Sequence, residues 1–195
     1  MTRQQSRRTS SRPFLVGELW LLDGATGSGK STALEYLRSH PSNQFAAIRK
    51  LTTRSKRLSD NDWEFDFVSD ISEFGGRLVW ESVGARYAVD LNQLGNNAHK
   101  TKVMVCTELS VQMRLVEDYG ARVLYFYRPM SDEQFEALLS DRGSSSVVRD
   151  ERREERASIG NDYPARLSWN TTTILNLADL SLLEVQLERL VNLPS

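Results

Sequence analysis

The run Gly24-Ala25-Thr26-Gly27-Ser28-Gly29-Lys30-Ser31 fits the pattern G-x-x-x-x-G-K-[ST] at every position. Phosphate binding explains each residue type. Glycines let successive backbone N–H groups turn inward around phosphate oxygens, and a lysine brings a compact positive charge to the β- and γ-phosphates. The serine hydroxyl is a ligand for Mg2+, and a helix starting at this point adds the partial positive charge of its N-terminus. Gly24, Thr26, Gly27, Ser28, Gly29, Lys30, Ser31 and Thr32 are therefore candidate ATP contacts, Lys30 a candidate catalytic cation and Ser31 a candidate metal ligand. The pattern is diagnostic only between a strand and a helix. Residues 15–22 form a short apolar run ending in Asp23-Gly24, which reads as a buried strand entering a turn. Residues 31–39 carry Leu34 and Leu37 at helical spacing until His40-Pro41 ends the helix.

A phosphate loop alone does not separate kinases from GTPases or motor ATPases. A second cationic element follows about twenty residues later, Thr52-Thr53-Arg54-Ser55-Lys56-Arg57. Guanidinium forks bind phosphate bidentately, so Arg54 and Arg57 in one short loop make a clamp for a phosphate other than the triphosphate.

Several elements must hold these two loops. Residues 102–106 and 122–127 read as buried strands, with Val111, Leu115 and Val116 in helical register between them; strand, helix, strand at this spacing predicts parallel pairing through a crossover. Ser131-Asp132-Glu133 reads as a capped helix start. Residues 149–157 are charged almost throughout, as expected of a helix that is solvated all round or faces a charged ligand. Residues 180–193 predict an amphipathic closing helix with Leu183, Leu187, Leu190 and Val191 on one face. The segment 49–89 differs in texture, with 63–68 and 77–80 reading as small antiparallel strands. The expected architecture is α/β: a parallel sheet flanked by helices, with a small β-rich lobe (about 49–90) inserted after the first βα unit.

Composition narrows the class of protein. The 195 residues are 39% hydrophobic and 26% charged, enough apolar material for one packed domain at 14–195 behind an Arg- and Ser-rich tail at 1–13. Lys and Arg total 25 against 26 Asp and Glu, a balance that excludes the uniformly basic surface of a dedicated nucleic-acid binder. One cysteine and two histidines argue against a disulfide framework and a structural zinc site. With no apolar run of spanning length and no secretory pattern in the tail, the expected location is cytoplasmic, with no membrane partner.

In this order the motifs resemble the guanylate kinase superfamily. After the phosphate loop and the double-Arg loop come Phe65-Asp66-Phe67-Val68-Ser69, then Trp80 followed by Gly84-Ala85-Arg86-Tyr87, then Asp141-Arg142-Gly143 with Arg153 beyond. The resemblance runs over roughly residues 17–192. It implies a P-loop fold with a helical lid (about 140–160), ATP and Mg2+, and a small phosphorylated acceptor. On that reading Arg54, Arg57 and Tyr87 hold the acceptor phosphate, and Arg142 and Arg153 are lid cations that fold over the transferring phosphoryl group.

The base-reading positions depart from the family. Of the two carboxylates expected there, one is replaced by Val79, ahead of Trp80, and the other by Cys106. Lys50 and Phe65 replace a phosphate-binding Ser and Tyr, while Glu108 keeps an acidic position from which it could orient Mg2+-bound water. A hydrogen bond to a charged group contributes about 1.5–3 kcal/mol. Losing two removes about 3–6 kcal/mol, roughly a factor of 10² to 10⁴ in guanine discrimination. Glu81 could restore one contact if its strand is shifted by a residue or bulged. Phosphate contacts kept without the base readers also resemble the ribose 1,5-bisphosphate phosphokinases, and Lys50 adds a cation suited to an acceptor with a second phosphate; Lys50, Phe65 and Glu81 thus join Arg54, Arg57 and Tyr87 as candidate acceptor contacts. Asn176 is a candidate adenine contact or a helix-capping residue. A catalytically silent binding module on the same frame is the alternative, although it would have no need of the complete phosphate loop.

Overall fold

The apolar run that delivers the phosphate loop is buried along its whole described length, Leu19–Asp23. A strand covered on both faces shows no polar alternation. Trp20 and Leu22 join a core with Ala33, Leu34, Leu37, Leu183 and Leu187, whereas Leu19 and Leu21 join a second core with Val111, Leu115, Leu78 and Val89. The computed structural model describes residues 18–57, 60–71, 76–82, 84–96, 99–141, 146–167 and 171–192, with backbone alone at 160–167 and 171. The N-terminal tail, Arg142 and the adjoining Gly143 lie outside the described residues.

In chain order the elements are β1 (Leu19–Asp23), α1 (Lys30–Ser39), β2 (Phe45–Ala47), β3 (Lys50–Thr52), β4 (Phe65–Phe67), β5 (Arg77–Ser82) and β6 (Ala85–Asp90). A 3-10 turn (Leu91–Leu94) leads to β7 (Thr101–Val105), α2 (Leu109–Tyr119), β8 (Arg122–Tyr127), α3 (Asp132–Asp141), α4 (Ser146–Leu167), β9 (Thr171–Leu175) and α5 (Leu180–Val191). The main sheet is parallel, in the order β2-β7-β1-β8-β9. The expected pairing of β7 with β8 is corrected: both pair with β1, which lies between them. This central position puts the end of β1, and the loop that follows it, at a topological switch point, the usual ligand crevice of an open α/β sheet.

The second sheet, β4-β3-β6-β5, is drawn from residues 50–90. β5 is antiparallel as expected, but its partner is β6, a strand the sequence reading does not single out, and β4 pairs with β3 in parallel rather than antiparallel. The connection between β3 and β4 passes through the double-Arg loop and is long enough for a crossover. Lys50 N–H donates to Glu64 O and Val68 N–H to Thr52 O, extending the ladder at both ends.

Local signals set the helix ends. Ser131 and Gln134 cap α3 reciprocally, Gln134 N–H donating to Ser131 Oγ (3.2 Å) and Ser131 N–H to Gln134 Oε1 (2.9 Å). Gly120 closes α2 in the left-handed conformation. Asp179 caps α5 by accepting from the N–H groups of Ser181 and Leu182. Among the described residues no helix is long and apolar enough to cross a membrane.

The core on the α1–α5 side makes a direct stability prediction. Leu187 is fully buried among Leu34, Leu37 and Ile174. Leu187→Ala should lower unfolding free energy by about 2–5 kcal/mol in urea titration, through lost burial and the cavity left behind.

Candidate active site

The phosphate loop is held by contacts that only glycine permits. A Cβ at Gly24 would lie 2.3 Å from Phe126 O, and one at Gly29 would lie 2.4 Å from Asn176 Nδ2. Gly29, at φ 102°, is also the N-cap of α1 and offers no side chain to its first-turn N–H groups, which leaves them suited to an anion. Lys30 arches back over the loop, its Nζ donating to Gly24 O (2.6 Å) and Ala25 O (2.7 Å). Ser28 is buried beneath it.

Asn176 is a fixed strut of this loop. Its Nδ2 donates to Ser28 O (2.8 Å) and its Oδ1 accepts from Ala178 N–H (2.9 Å), while the capping role at α5 falls to Asp179. Asn176 also lines the cleft beside Ala178, Leu180 and Leu183.

One continuous cleft of about 480 Å³ joins the phosphate loop to the second sheet. Thr26, Gly27, Gly29, Lys30, Ser31 and Thr32 line one end; Lys50, Arg54, Arg57, Phe65 and Tyr87 line the other. These candidate residues therefore share one space. Gly24 and Ser28 do not line it, and three further candidates lie away from it. Glu81 is 80% exposed and 4.0 Å from Arg86, because β5 pairs with β6 without a bulge and period-2 alternation turns Trp80 and Ser82, not Glu81, toward the cleft. Glu108 accepts from Ser110 Oγ and lines a neighbouring cavity with Glu151 and Glu154. Arg153 is half exposed, held on the surface by Glu136 and Asp150.

Cleft residues outside the candidate contacts include Asp60, Glu64, Trp80, Arg128, Arg152 and Glu155. Arg152 immediately precedes Arg153, and helix phase alone decides which of the two faces inward. Arg152 Nη1 is 2.5 Å from Glu155 Oε2, and the same oxygen accepts from Thr26 Oγ1 (3.1 Å), so α4 touches the phosphate loop directly. Arg128 donates to Gly27 O (3.1 Å). Trp80 stacks on Tyr87 with centroids 5.7 Å apart.

The double-Arg loop is partly neutralised from within. Asp60 binds Arg54 bidentately, at 2.6 and 2.7 Å, and also accepts Arg57 N–H at 2.6 Å. Burial works against the Arg54 charge, but the Asp60 hydrogen bond and the neighbouring Tyr87 outweigh it and raise its pKa. Burial likewise opposes the Asp60 carboxylate, and the Arg54 and Arg57 hydrogen bonds overcome it, lowering its pKa. Arg57 is lowered instead, by lost hydration and then by Arg54 and Arg152. Its guanidinium has no carboxylate within ion-pair distance among the described residues. Crowded cations without a counter-ion mark the place where an anion gains most.

The floor holds a second pair. Lys50 is 4% exposed, and its Nζ donates to Glu64 Oε1 (3.2 Å) and Val105 O (2.9 Å) while lying 4.5 Å from the Phe65 ring centroid. Arg54 lies over the same ring at 4.6 Å. Beside them, burial pushes the Cys106 thiol up to about 12, so it is neutral, although Lys50 pulls the other way.

The chain is 26% identical over 152 residues to the guanylate kinase of Mycoplasma genitalium, covering 73% of this chain and 63% of that protein. Its fold matches a guanylate kinase from Anaplasma phagocytophilum with a TM-score of 0.58 and 17% identity, over 93% of this chain and 86% of that one. The chain therefore shares the fold of guanylate kinases. No family model matches it, and it spans less than two thirds of the Mycoplasma enzyme's length. Both cationic ends of the cleft are furnished, and between them Cys106 lines the space whereas Val79 does not.

The cleft residues also fit Mg2+ held mainly by ligand phosphates. Ser31 contributes a hydroxyl on a cleft wall, and the described residues contain no cluster of three metal-ligating side chains. Mg2+ commonly takes few protein ligands, with phosphate and water completing its octahedron.

The Arg54–Asp60 pair makes stability depend on pH. Because the folded Asp60 pKa is lowered, the pair stabilises the fold above the unfolded carboxylate value near about 4. That stability is lost as pH falls through the lower folded value. Asp60→Asn should cost about 1–3 kcal/mol at neutral pH. Urea titrations at falling pH should show the difference between wild type and variant shrinking below about pH 4.

Proposed function

We propose that this chain is an ATP-dependent nucleoside monophosphate kinase, moving the γ-phosphoryl group of ATP to the phosphate of a GMP-type nucleotide. The observation that carries this reading is the single cleft with two cationic ends: the phosphate loop with Lys30 at one, and Arg54 and Arg57 at the other. Such a cleft brings a donor triphosphate and an acceptor phosphate together. The names and coverage of the guanylate kinase matches support the same activity.

An acceptor phosphate is already anionic, so no general base is required; the enzyme aligns the reactants and neutralises developing charge. Lys30 and the loop N–H groups hold the β- and γ-phosphates, with Thr32 beside them and Asn176 fixing the loop. Arg54, Arg57 and Tyr87 orient the acceptor. Ser31 would hold Mg2+, which would supply charge neutralisation to the bound phosphates. Arg152 is the lid cation best situated to meet the transferring group; Arg142, a lid cation on the family pattern, lies outside the described residues. Arg153 supports the lid through Glu136 and Asp150.

The acceptor end favours one phosphate over two. Glu64 neutralises Lys50 and Asp60 neutralises Arg54, leaving Arg57 as the cation without a carboxylate among the described residues. Lys50, the added cation in the argument for a bisphosphate sugar, is paired with Glu64, which leaves that argument only the departures at Val79 and Cys106.

The test is ADP formation from ATP·Mg2+ with GMP, AMP, UMP or ribose 1,5-bisphosphate supplied separately. GMP should stimulate it most. Stimulation by the bisphosphate alone would replace this reading with a sugar-phosphate kinase, and ATP binding without any stimulation would favour a binding module. Arg152→Ala should lower kcat about 10²-fold while ATP affinity changes little, and Arg153→Ala should change kcat by less than about 3-fold. Single-turnover kinetics and nucleotide titration separate the two effects.

A further inference from the structure

The ion pair at the cleft floor is the feature that the phosphate chemistry leaves unused. Lys50 and Glu64 are both almost fully buried, yet both line the cleft at its acceptor end. Neither is exhausted by the other. Lys50 Nζ carries three protons and spends two, on Glu64 Oε1 and Val105 O. Glu64 uses one oxygen for Lys50, and its other oxygen accepts no hydrogen bond from the described residues. The floor therefore presents one charged donor beside a partly free carboxylate, next to the neutral Cys106 thiol. The Phe65 ring connects this pair to the clamp, since Lys50 and Arg54 both lie over it. A ligand phosphate at Arg54 would thus set the rest of the acceptor against Lys50 and Glu64.

We propose that Lys50 and Glu64 are the base-reading residues of the acceptor site, replacing the carboxylates lost at Val79 and Cys106 and selecting guanine. This inference rests on the nucleotide-kinase reading above. Guanine offers O6 as an acceptor beside N1–H and the exocyclic N2–H as donors. Lys50 donates to O6, and Glu64 accepts from N1–H and N2–H. Adenine offers one donor and one acceptor on the corresponding edge and uses less of the carboxylate. Uracil offers a second carbonyl where Glu64 requires a donor. The pair is also inexpensive to keep in the empty enzyme, because each charge satisfies the other until the base arrives.

The N2 amine isolates the proposal, because IMP differs from GMP at that group alone. The wild-type enzyme should use GMP better than IMP by about 10- to 100-fold in kcat/KM, the size expected for one hydrogen bond to a charged group. Glu64→Gln should bring the GMP-to-IMP ratio to within about 3-fold. Loss of a buried charge partner can damage the fold, so the double variant Lys50→Met with Glu64→Gln, which leaves no unpaired charge, is measured alongside and should show the same collapse. A ratio of two substrates on one preparation is not moved by a smaller folded fraction. If the wild type uses GMP and the ratio survives in both variants, or is near one at the outset, the base-reading assignment is overturned while the kinase reading stands. If ATP transfers phosphate to none of GMP, IMP and AMP, the kinase reading fails and this assignment falls with it.

Discussion

Cations gathered for polyanionic ligands must be tolerated when those ligands are absent. Each one brought into a water-poor cleft loses hydration, and each raises the electrostatic cost of the next. Arg54 with Asp60, Lys50 with Glu64 and Arg152 with Glu155 meet this requirement locally. Bidentate and buried pairs of this kind are costly to break one-sidedly but close to neutral as a unit. They hold guanidinium forks and an ammonium in fixed orientations, so that little side-chain freedom remains to be lost on binding. Arg57 is different: burial and then two neighbouring arginines depress its pKa, and no carboxylate sits within ion-pair distance among the described residues.

The same economy governs the phosphate loop. Gly24 and Gly29 bring the loop backbone against Phe126 O and the Asn176 amide, where no side chain would fit. β8 and the turn before α5 thereby become walls of the site. The strand order, with β1 between β7 and β8, is what puts those walls there. Glu155 adds a contact from α4 to Thr26, so the segment that would cover the reacting phosphates already touches the loop that holds them.

Much of this was legible in the residues. Apolar runs located β1, β7 and β8, helical periodicity located α1, α2 and α5, and Ser131 marked the start of α3. Local chemistry sets these features, and a local reading finds them. β2 went unread because a three-residue edge strand carries too little pattern. The parallel pairing of β4 with β3 was hidden because strand direction depends on how the intervening loop crosses, not on the strand's own side chains.

The site divides along the same line. Sequence by itself singled out the glycine-rich loop and the Arg54–Arg57 loop that the fold brings to one cleft, because each is a short stretch of backbone with a local pattern. Tertiary structure alone decided which α4 arginine lines the cleft, Arg152 or Arg153, since neighbouring residues on a helix differ by about 100° in direction. It decided that Glu81 lies on the outer face of an unbroken strand. It decided, above all, that Lys50 is neutralised by Glu64, fourteen residues away, and Arg54 by Asp60. A charge's effect on a ligand depends on its nearest counter-charge, and that partner is chosen by the packing of the chain in space.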